Sequence, residues 1–516
     1  MRRIFILSIL CTLLGAAGSR SQELPHLPQF LARNERFNRL YNENHRAGVN
    51  LAALDPLRQQ IEAGFKNGDI PSMIETISRA TAVLEGVPWN ERQRFLSSLS
   101  LEADRAVVEP NQEVQVSLAR IFPTNLEQAF QTPPTVTFEV KPAESVPAGD
   151  PGEIPAALLE AKHAIIGDHL PFSNESTIAT RRLRLPDGAY QIVARIEASG
   201  KSIAEFSIPV YAINDFTEQI GRLSSLISVI KNSTEPKVKA VAALVTTPEY
   251  RLKRLAQLNK SQSDPPVDVP AELQRVEYLL SSLAKGVNPL TKERGELERA
   301  YQMADGKLMP YRVYVPLGYD GSVAVPLVVM LHGALGDERS YFSGLYDPVV
   351  IKGESERRGI ILVSTNAGSR FSTYDQKGQD DVFEVINAIQ RDYKIDPARV
   401  YLTGHSLGAV GTWVVAAARP EMFAAIAPVA GAMPVRPEEF GALLQKIKAI
   451  PALVTHGAKD GIAPVDNSRK LVAIAQKAGL KVEYIEVPDS DHTSVVGTTF
   501  PAVMQFFERN RKAAGK

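Results

Sequence analysis

The sequence predicts an α/β domain in the C-terminal part of the chain, a mostly parallel sheet with helices on both faces, preceded by helical segments and a small β-sandwich. Three observations predict it. Beyond residue 306, short wholly apolar runs alternate with helix-length segments, the pattern of parallel strands buried on both faces. Between about residues 105 and 213 the apolar residues recur at every second position, as half-buried strands require. On either side of that stretch they recur at i, i+3 and i+4, which lines them along one face of a helix. With 516 residues, 44% hydrophobic and 22% charged, the chain is long enough for about three folded domains. The expected division is a leader at 1–18, a helical region at 19–102, an immunoglobulin-like sandwich at 103–213, a helical linker region at 214–305 and the α/β domain at 306–516.

At the N-terminus, Arg2 and Arg3 precede an apolar run from Ile4 to Leu14, and Gly15-Ala16-Ala17-Gly18-Ser19 supplies small residues. That is the pattern of a cleavable export signal, too short to anchor a mature chain in a membrane. The arginines abut the apolar run, which favours the general secretory route, and Leu10 before Cys11 is too large for lipoprotein processing. Cys11 is the single cysteine, so the processed chain holds no disulfide, thiolate nucleophile or cysteine-bound metal. A disulfide-free exported protein fits a bacterial periplasm or exterior. No later apolar run reaches the roughly 18–20 residues of a membrane span. The 58 basic residues balance 58 acidic ones without a basic tract, which argues against a nucleic-acid partner.

Leu54, Leu57, Ile61 and Phe65, then Ile70, Ile74, Ile77 and Leu84, are spaced as helix faces. Val87-Pro88-Trp89-Asn90 interrupts them, with Asn90 placed to cap the next helix. Val114, Val116 and Leu118 alternate with polar residues, as do Val136, Phe138 and Val140. Pro186-Asp187-Gly188 reads as a hairpin turn, and the Pro- and Gly-rich stretch 142–155 as a long loop. Leu223, Leu226, Ile227 and Ile230 form one later helical stripe, and Leu273, Val276, Leu280 and Leu283 another, read as packing between domains.

The chemistry lies in the last two hundred residues. Arg399-Val400-Tyr401-Leu402-Thr403 reads as a strand, and Gly404-His405-Ser406-Leu407-Gly408 follows it directly into an Ala- and Val-rich helix. Strand, G-x-S-x-G and helix together make a nucleophile elbow, a sharp turn that presents a serine above the sheet. Two further strands end in polar clusters. Leu453 to Gly457 leads to Ala458-Lys459-Asp460, and Val482 to Val487 leads to Pro488-Asp489-Ser490-Asp491-His492. A serine hydroxyl needs a base to attack at neutral pH. His492 is expected to take the Ser406 proton, and Asp460 to hold the imidazole in the right tautomer. Asp466, Asp489 and Asp491 are rival acids; His405 and His456 read as packing. Backbone amides of Leu407 and Ala334, the latter just past His332-Gly333, are the expected oxyanion donors. Phe371 and Tyr374 are candidate substrate contacts, and Asp380 and Asp381 candidate helix caps.

From Tyr311 to Phe507 the chain resembles compact α/β-hydrolases: esterase-D-like and feruloyl esterases, polyhydroxybutyrate-depolymerase-type esterases and prolyl-oligopeptidase-like "predicted peptidases". The resemblance rests on Tyr311-Arg312-Val313-Tyr314-Val315-Pro316, Val325 to Gly333, Ile395 to Gly404 and His456-Gly457-Ala458-Lys459-Asp460. One departure is Ala409, where many relatives carry a further glycine behind the nucleophile. With the leader, the resemblance implies an exported serine hydrolase that cleaves carboxylic esters, small or polymer-attached, through an acyl-enzyme and without cofactor or metal. A serine peptidase of the prolyl-oligopeptidase type is the alternative within that chemistry. A binding protein on a disused hydrolase scaffold is the alternative outside it. The acyl and alcohol groups and the oligomeric state stay open.

Overall fold

The structure is a computed structural model that describes residues 26–143, 164–171, 176–261, 267–433 and 437–512. The leader expected at 1–18 and most of the loop expected at 142–155 lie outside the described residues. The described chain opens on helices α1 (Leu27–Arg46), α2 (Asp55–Asn67), α3 (Ile70–Leu84) and α4 (Glu91–Ser97). Asp69 caps α3 by accepting from Ser72 N, 3.1 Å away, and Asn90 caps α4 through Gln93 N at 2.9 Å, as its position implied. Two compact units emerge, one joining Asn34–Gly68 to residues 288–512 and one containing most of Asp69–Val287. The expected helical region 19–102 is therefore divided between them. Helical spacing reveals that a face is apolar but not which partner will bury it.

The unit that contains most of Asp69–Val287 holds the sandwich. Its strands are β1 (Leu99–Ala103), β2 (Val107–Val108), β3 (Glu113–Arg120), β4 (Thr135–Pro142), β5 (Ala164–Pro171), β6 (Thr177–Arg184), β7 (Gly188–Ala198) and β8 (Lys201–Ala212). They form a three-stranded sheet, β1-β3-β6, and a five-stranded sheet, β2-β8-β7-β4-β5. Val114, Val116 and Leu118 from one and Val136, Phe138 and Val140 from the other enter a common core. Burial of each such side chain contributes about 1.5–3 kcal/mol. Pro186-Asp187-Gly188 is not the hairpin turn expected. Strand β6 pairs with β3 while β7 pairs with β4 and β8, so the turn carries the chain from one sheet to the other. A Pro-Asp-Gly reversal fixes a change of direction, not the pairing of its flanks. Helices α5 (Phe216–Lys231), α6 (Thr246–Leu255) and α7 (Val269–Ala284) bury their stripes with Val107 and Tyr211 of the sandwich.

The other unit is built on eight strands: β9 (Gly295–Gln302), β10 (Leu308–Val315), β11 (Val325–Leu331), β12 (Ile361–Thr365), β13 (Ile395–His405), β14 (Ala425–Val429), β15 (Ala452–Gly457) and β16 (Val482–Val487). Their order is β16-β15-β14-β13-β11-β12-β10-β9. Strands β9, β10 and β12 pair antiparallel, and every pairing from β12 to β16 is parallel. This is an α/β-hydrolase sheet. It begins earlier than the expected boundary at 306, because β9 falls within the expected helical region. Glu296, Leu297, Glu298, Arg299 and Ala300 are good helix formers, and pairing with β10 overrides that preference.

Parallel strands need crossovers, and these supply α8 (Pro348–Arg358), α9 (Gln376–Asp392), α10 (Leu407–Ala418), α11 (Pro437–Lys446) and α12 (Asp466–Lys477), while α13 (Ser494–Arg509) follows the last strand. Along β11, Leu327, Val329 and Leu331 enter one core with Trp413 and Phe440, while Val328 and Met330 enter another with Phe500 and Phe507. Both faces are thus buried, which is why the strand reads as an unbroken apolar run. The cap of α9 is Asp375, whose carboxylate accepts from Gly378 N at 3.2 Å. Asp381, one of the two expected caps, is instead buried, accepting from Tyr301 Oη at 2.5 Å and Ala367 N at 2.6 Å.

Candidate active site

Four strand ends bring the chemistry to one edge of the sheet. The His332–Gly336 loop follows β11, Ser406 follows β13, Asp460 follows β15 and His492 follows β16. Ligands of open α/β sheets bind at this carboxyl edge.

Ser406 has φ 56° and ψ −114°, a backbone conformation that a non-glycine residue holds only where its surroundings over-determine it. Those surroundings are glycines. A Cβ on Gly404 would lie 2.2 Å from Gly408 O, and one on Gly408 would lie 2.0 Å from Leu331 O. Only residues without a side chain let α10 start directly over β11 and β13. The Ala409 departure is also accommodated. Ala409 is fully buried, and its methyl carbon would lie 2.6 Å from a Cβ on Gly431, so glycine on the facing loop makes the room.

His492 Nδ1 lies 2.7 Å from Asp460 Oδ2. An ionised carboxylate only accepts, so Nδ1 carries the proton and Nε2 is left as an acceptor. Asp460 Oδ1 accepts from the amides of Ile462 at 2.9 Å and Ala463 at 2.8 Å. Burial disfavours its charge, but His492 and the hydrogen bonds from His456 and His492 overcome that and hold it well below the usual carboxylate range. For His492 burial works downward, while the Asp460 charge and hydrogen bond, with Glu62 and Asp491 adding to them, raise it above the ordinary imidazole value. The two loops lie against each other: Lys459 N donates to Ser490 O at 3.0 Å, and a Cβ on Gly457 would stand 2.3 Å from that same oxygen. Among the described residues no hydrogen bond joins Ser406 to His492. Such bonds are often long before substrate arrives.

Two histidines read from the sequence as packing turn out to orient these residues. His456 Nε2 faces two acceptors, Asp460 Oδ2 at 2.9 Å and Ala463 O at 2.8 Å, so it carries the proton. Its Nδ1 then accepts from Ser468 Oγ at 2.7 Å. His405 Nε2 donates to the His492 carbonyl at 2.7 Å, and its Nδ1 accepts from Tyr346 Oη at 2.8 Å. Burial, reinforced by the neighbouring His492, keeps His405 well below the ordinary value and therefore neutral. The spacing His456-x3-Asp460 was a visible signal for the first; nothing local pointed to Tyr346.

The rival acids have other partners. Asp466 pairs with Arg469 and Asp489 with Lys459. Asp491 accepts from Thr493 N, Ser494 N and Ser494 Oγ at the start of α13. Leu407 is the first residue of α10, so its amide precedes the helix's own hydrogen-bond ladder. In the facing loop, Leu335 N is committed to Arg370 O and Gly336 N to Gly333 O, which leaves Ala334 as the amide beside them. Gly333 packs so closely that an added Cβ would stand 3.1 Å from Ser406 Cβ.

Phe371 is half-buried on the loop after β12. Tyr374, expected as a substrate contact, is not one. It is fully buried, its hydroxyl donates to His332 O at 2.8 Å and its ring fills the space over Gly411. His332 spans the same loop, with its two ring nitrogens 2.8 Å from Gly333 O and 2.9 Å from Asn366 O. Among the described residues, no three His, Cys, Asp or Glu side chains stand in a metal-binding group, and no helix is long and apolar enough to cross a membrane.

The Prolyl oligopeptidase family matches the chain over residues 364–440. A bifunctional acetylxylan esterase/xylanase of Neocallimastix patriciarum is 28% identical over 165 residues, 31% of this chain and 23% of that protein. Poly(3-hydroxyalkanoate) depolymerase C of Paucimonas lemoignei is 29% identical over 137 residues, 24% of this chain and 32% of its own length. Feruloyl esterase B of Talaromyces funiculosus is 30% identical over 131 residues, 23% of this chain and 35% of its own length. The chain thus spans about a third or less of these relatives.

Proposed function

We propose that the protein is an exported serine hydrolase that cleaves carboxylic esters through an acyl-enzyme. The observation that carries this reading is a serine at a strained strand-to-helix elbow, on the same sheet edge as an Asp460–His492 pair at 2.7 Å. His492 Nε2 takes the Ser406 proton as Oγ attacks the ester carbonyl. The amides of Leu407 and Ala334 bind the resulting oxyanion, and each such donor is worth about 3–4 kcal/mol in the transition state. The C–O bond breaks as His492 returns the proton to the departing alkoxide. Water then attacks the acyl-Ser406 ester with His492 again as base, releasing the acid. Asp460 stabilises the imidazolium throughout and stays ionised.

The relatives' names support esters, with acyl groups on polysaccharide or within a polyester as the substrate class. The match to the Prolyl oligopeptidase family favours a second reading, peptide cleavage, because one triad serves both chemistries. The purified protein assayed on p-nitrophenyl acetate and on peptide p-nitroanilides, with Ser406→Ala as blank, separates them. Serine-dependent ester cleavage with silent anilides is expected, and anilide cleavage of comparable efficiency would transfer the assignment to a peptidase. Export rests on the pattern at 1–18. Its check is whether the protein recovered outside the cytoplasm begins near Ser19.

A further inference from the structure

Helix α2 belongs to no part of the α/β-hydrolase sheet, yet it sits on the two loops that matter most. Asp55, Arg58 and Glu62 follow one another at three and four residues, which aligns them on one face. Their partners are the immediate neighbours of the acid and the histidine. Asp55 holds Lys459 Nζ at 3.0 Å. Arg58 pairs with Asp491, both largely buried, and its guanidinium stacks 4.0 Å over the ring of Tyr41 in α1. Glu62 lies against Gly461, where a Cβ would be 2.0 Å from its Oε2. One helix face therefore touches residues 459, 461 and 491 and so flanks Asp460 and His492.

Glu62 itself is unusual. The residue is 7% exposed, and among the described residues no hydrogen bond reaches its carboxylate. Withdrawing a carboxylate from water without hydrogen-bond partners is costly. A residue needed only for packing would be served by leucine or glutamine. We propose that α2 is a positioning element of the active site, with Glu62 as a second carboxylate that braces the Asp460–Gly461 turn and faces His492. This inference rests on the serine mechanism proposed above.

The electrostatics agree with the geometry. Burial and the charges of Asp491 and Asp460 push Glu62 up to about 7, with His492 and Arg58 acting the other way. The ionised Glu62 in turn favours the protonated form of His492. Each group therefore biases the protonation of the other. Since His492 must be neutral to act as base, removing the Glu62 charge lets it stay neutral to lower pH.

The test is the pH dependence of kcat/KM for p-nitrophenyl acetate in the full chain. Glu62→Gln, close in shape, should move the acid limb to lower pH, and Glu62→Asp should restore part of it. Arg58→Met should cut kcat about 10- to 100-fold, the size of a sub-ångström to ångström misplacement, with KM nearly unchanged and Arg58→Lys recovering part of the loss. Thermal melts of each variant separate misfolding from mispositioning. An unmoved limb in Glu62→Gln with unchanged kcat in folded Arg58→Met would overturn the proposal. Ser406→Ala run alongside distinguishes the failures. Activity retained there overturns the serine mechanism and this inference with it; a dead Ser406→Ala beside unaltered α2 variants overturns the inference alone.

Discussion

Ser406 is held by walls of backbone, for at Gly404 and Gly408 any side chain would meet a carbonyl oxygen at 2.2 and 2.0 Å. His492 is held by polar partners drawn from elsewhere: Asp460 on its ring, His405 on its carbonyl, and Tyr346 behind His405. The difference teaches how each fails. A steric wall admits no intermediate state, so an extra methyl strains the whole turn. A hydrogen-bond web loses its members singly, and each loss costs what that bond was worth.

The largest effect separates chemistry from architecture. Ser406→Ala should lower kcat by about a million-fold while the thermal midpoint stays where it was, because the glycines and not the hydroxyl hold the elbow. Asp460→Asn comes next, with kcat down by about 10,000-fold. In the wild type, activity should fall on acidification as His492 gains a proton, at a pH above the ordinary imidazole value. The same groups link to stability with opposite signs. Asp460, held low, contributes stability above about pH 4 that is lost as pH drops through its depressed value. His492, held high, contributes below about pH 6.5 what is lost as pH rises through its raised value. Urea titrations across pH would read both.

Gly404→Ala should reverse the pattern seen with Ser406→Ala, lowering unfolding stability by about 3 kcal/mol because the neighbours it meets are backbone. Denaturation midpoints would measure it, and a near-neutral result would mean the elbow relaxes. Tyr346→Phe is the mildest. It removes a single donor to His405 and should cost about 1 kcal/mol with a small loss in kcat.

The same contrast explains what was legible in the sequence. Steric requirements write themselves as residue types at fixed spacing, so the elbow, the buried strands β11, β13 and β15, and the chain order Ser406, Asp460, His492 could all be read. Partners brought in by tertiary structure leave no local mark. Tyr346 lies on an irregular loop, and Glu62 and Arg58 lie on a helix whose apolar spacing spoke only of packing. His456 was visible but ambiguous, since a histidine inside an apolar strand reads first as core. Tyr374 shows the converse error. An aromatic on a loop beside the site suggests a substrate contact, but its ring had to fill the space left by Gly411. Strand β9 was missed because its residues prefer helix and only pairing with β10 makes them a strand.

The proposed chemistry stands or falls with Ser406 as a nucleophile activated by His492. Treating the protein with a fluorophosphonate and locating the adduct by peptide mass spectrometry tests it directly. Labelling at Ser406 alone, abolished in His492→Ala, is the expected result. An adduct on another residue, or undiminished labelling of Ser406 without His492, would contradict it.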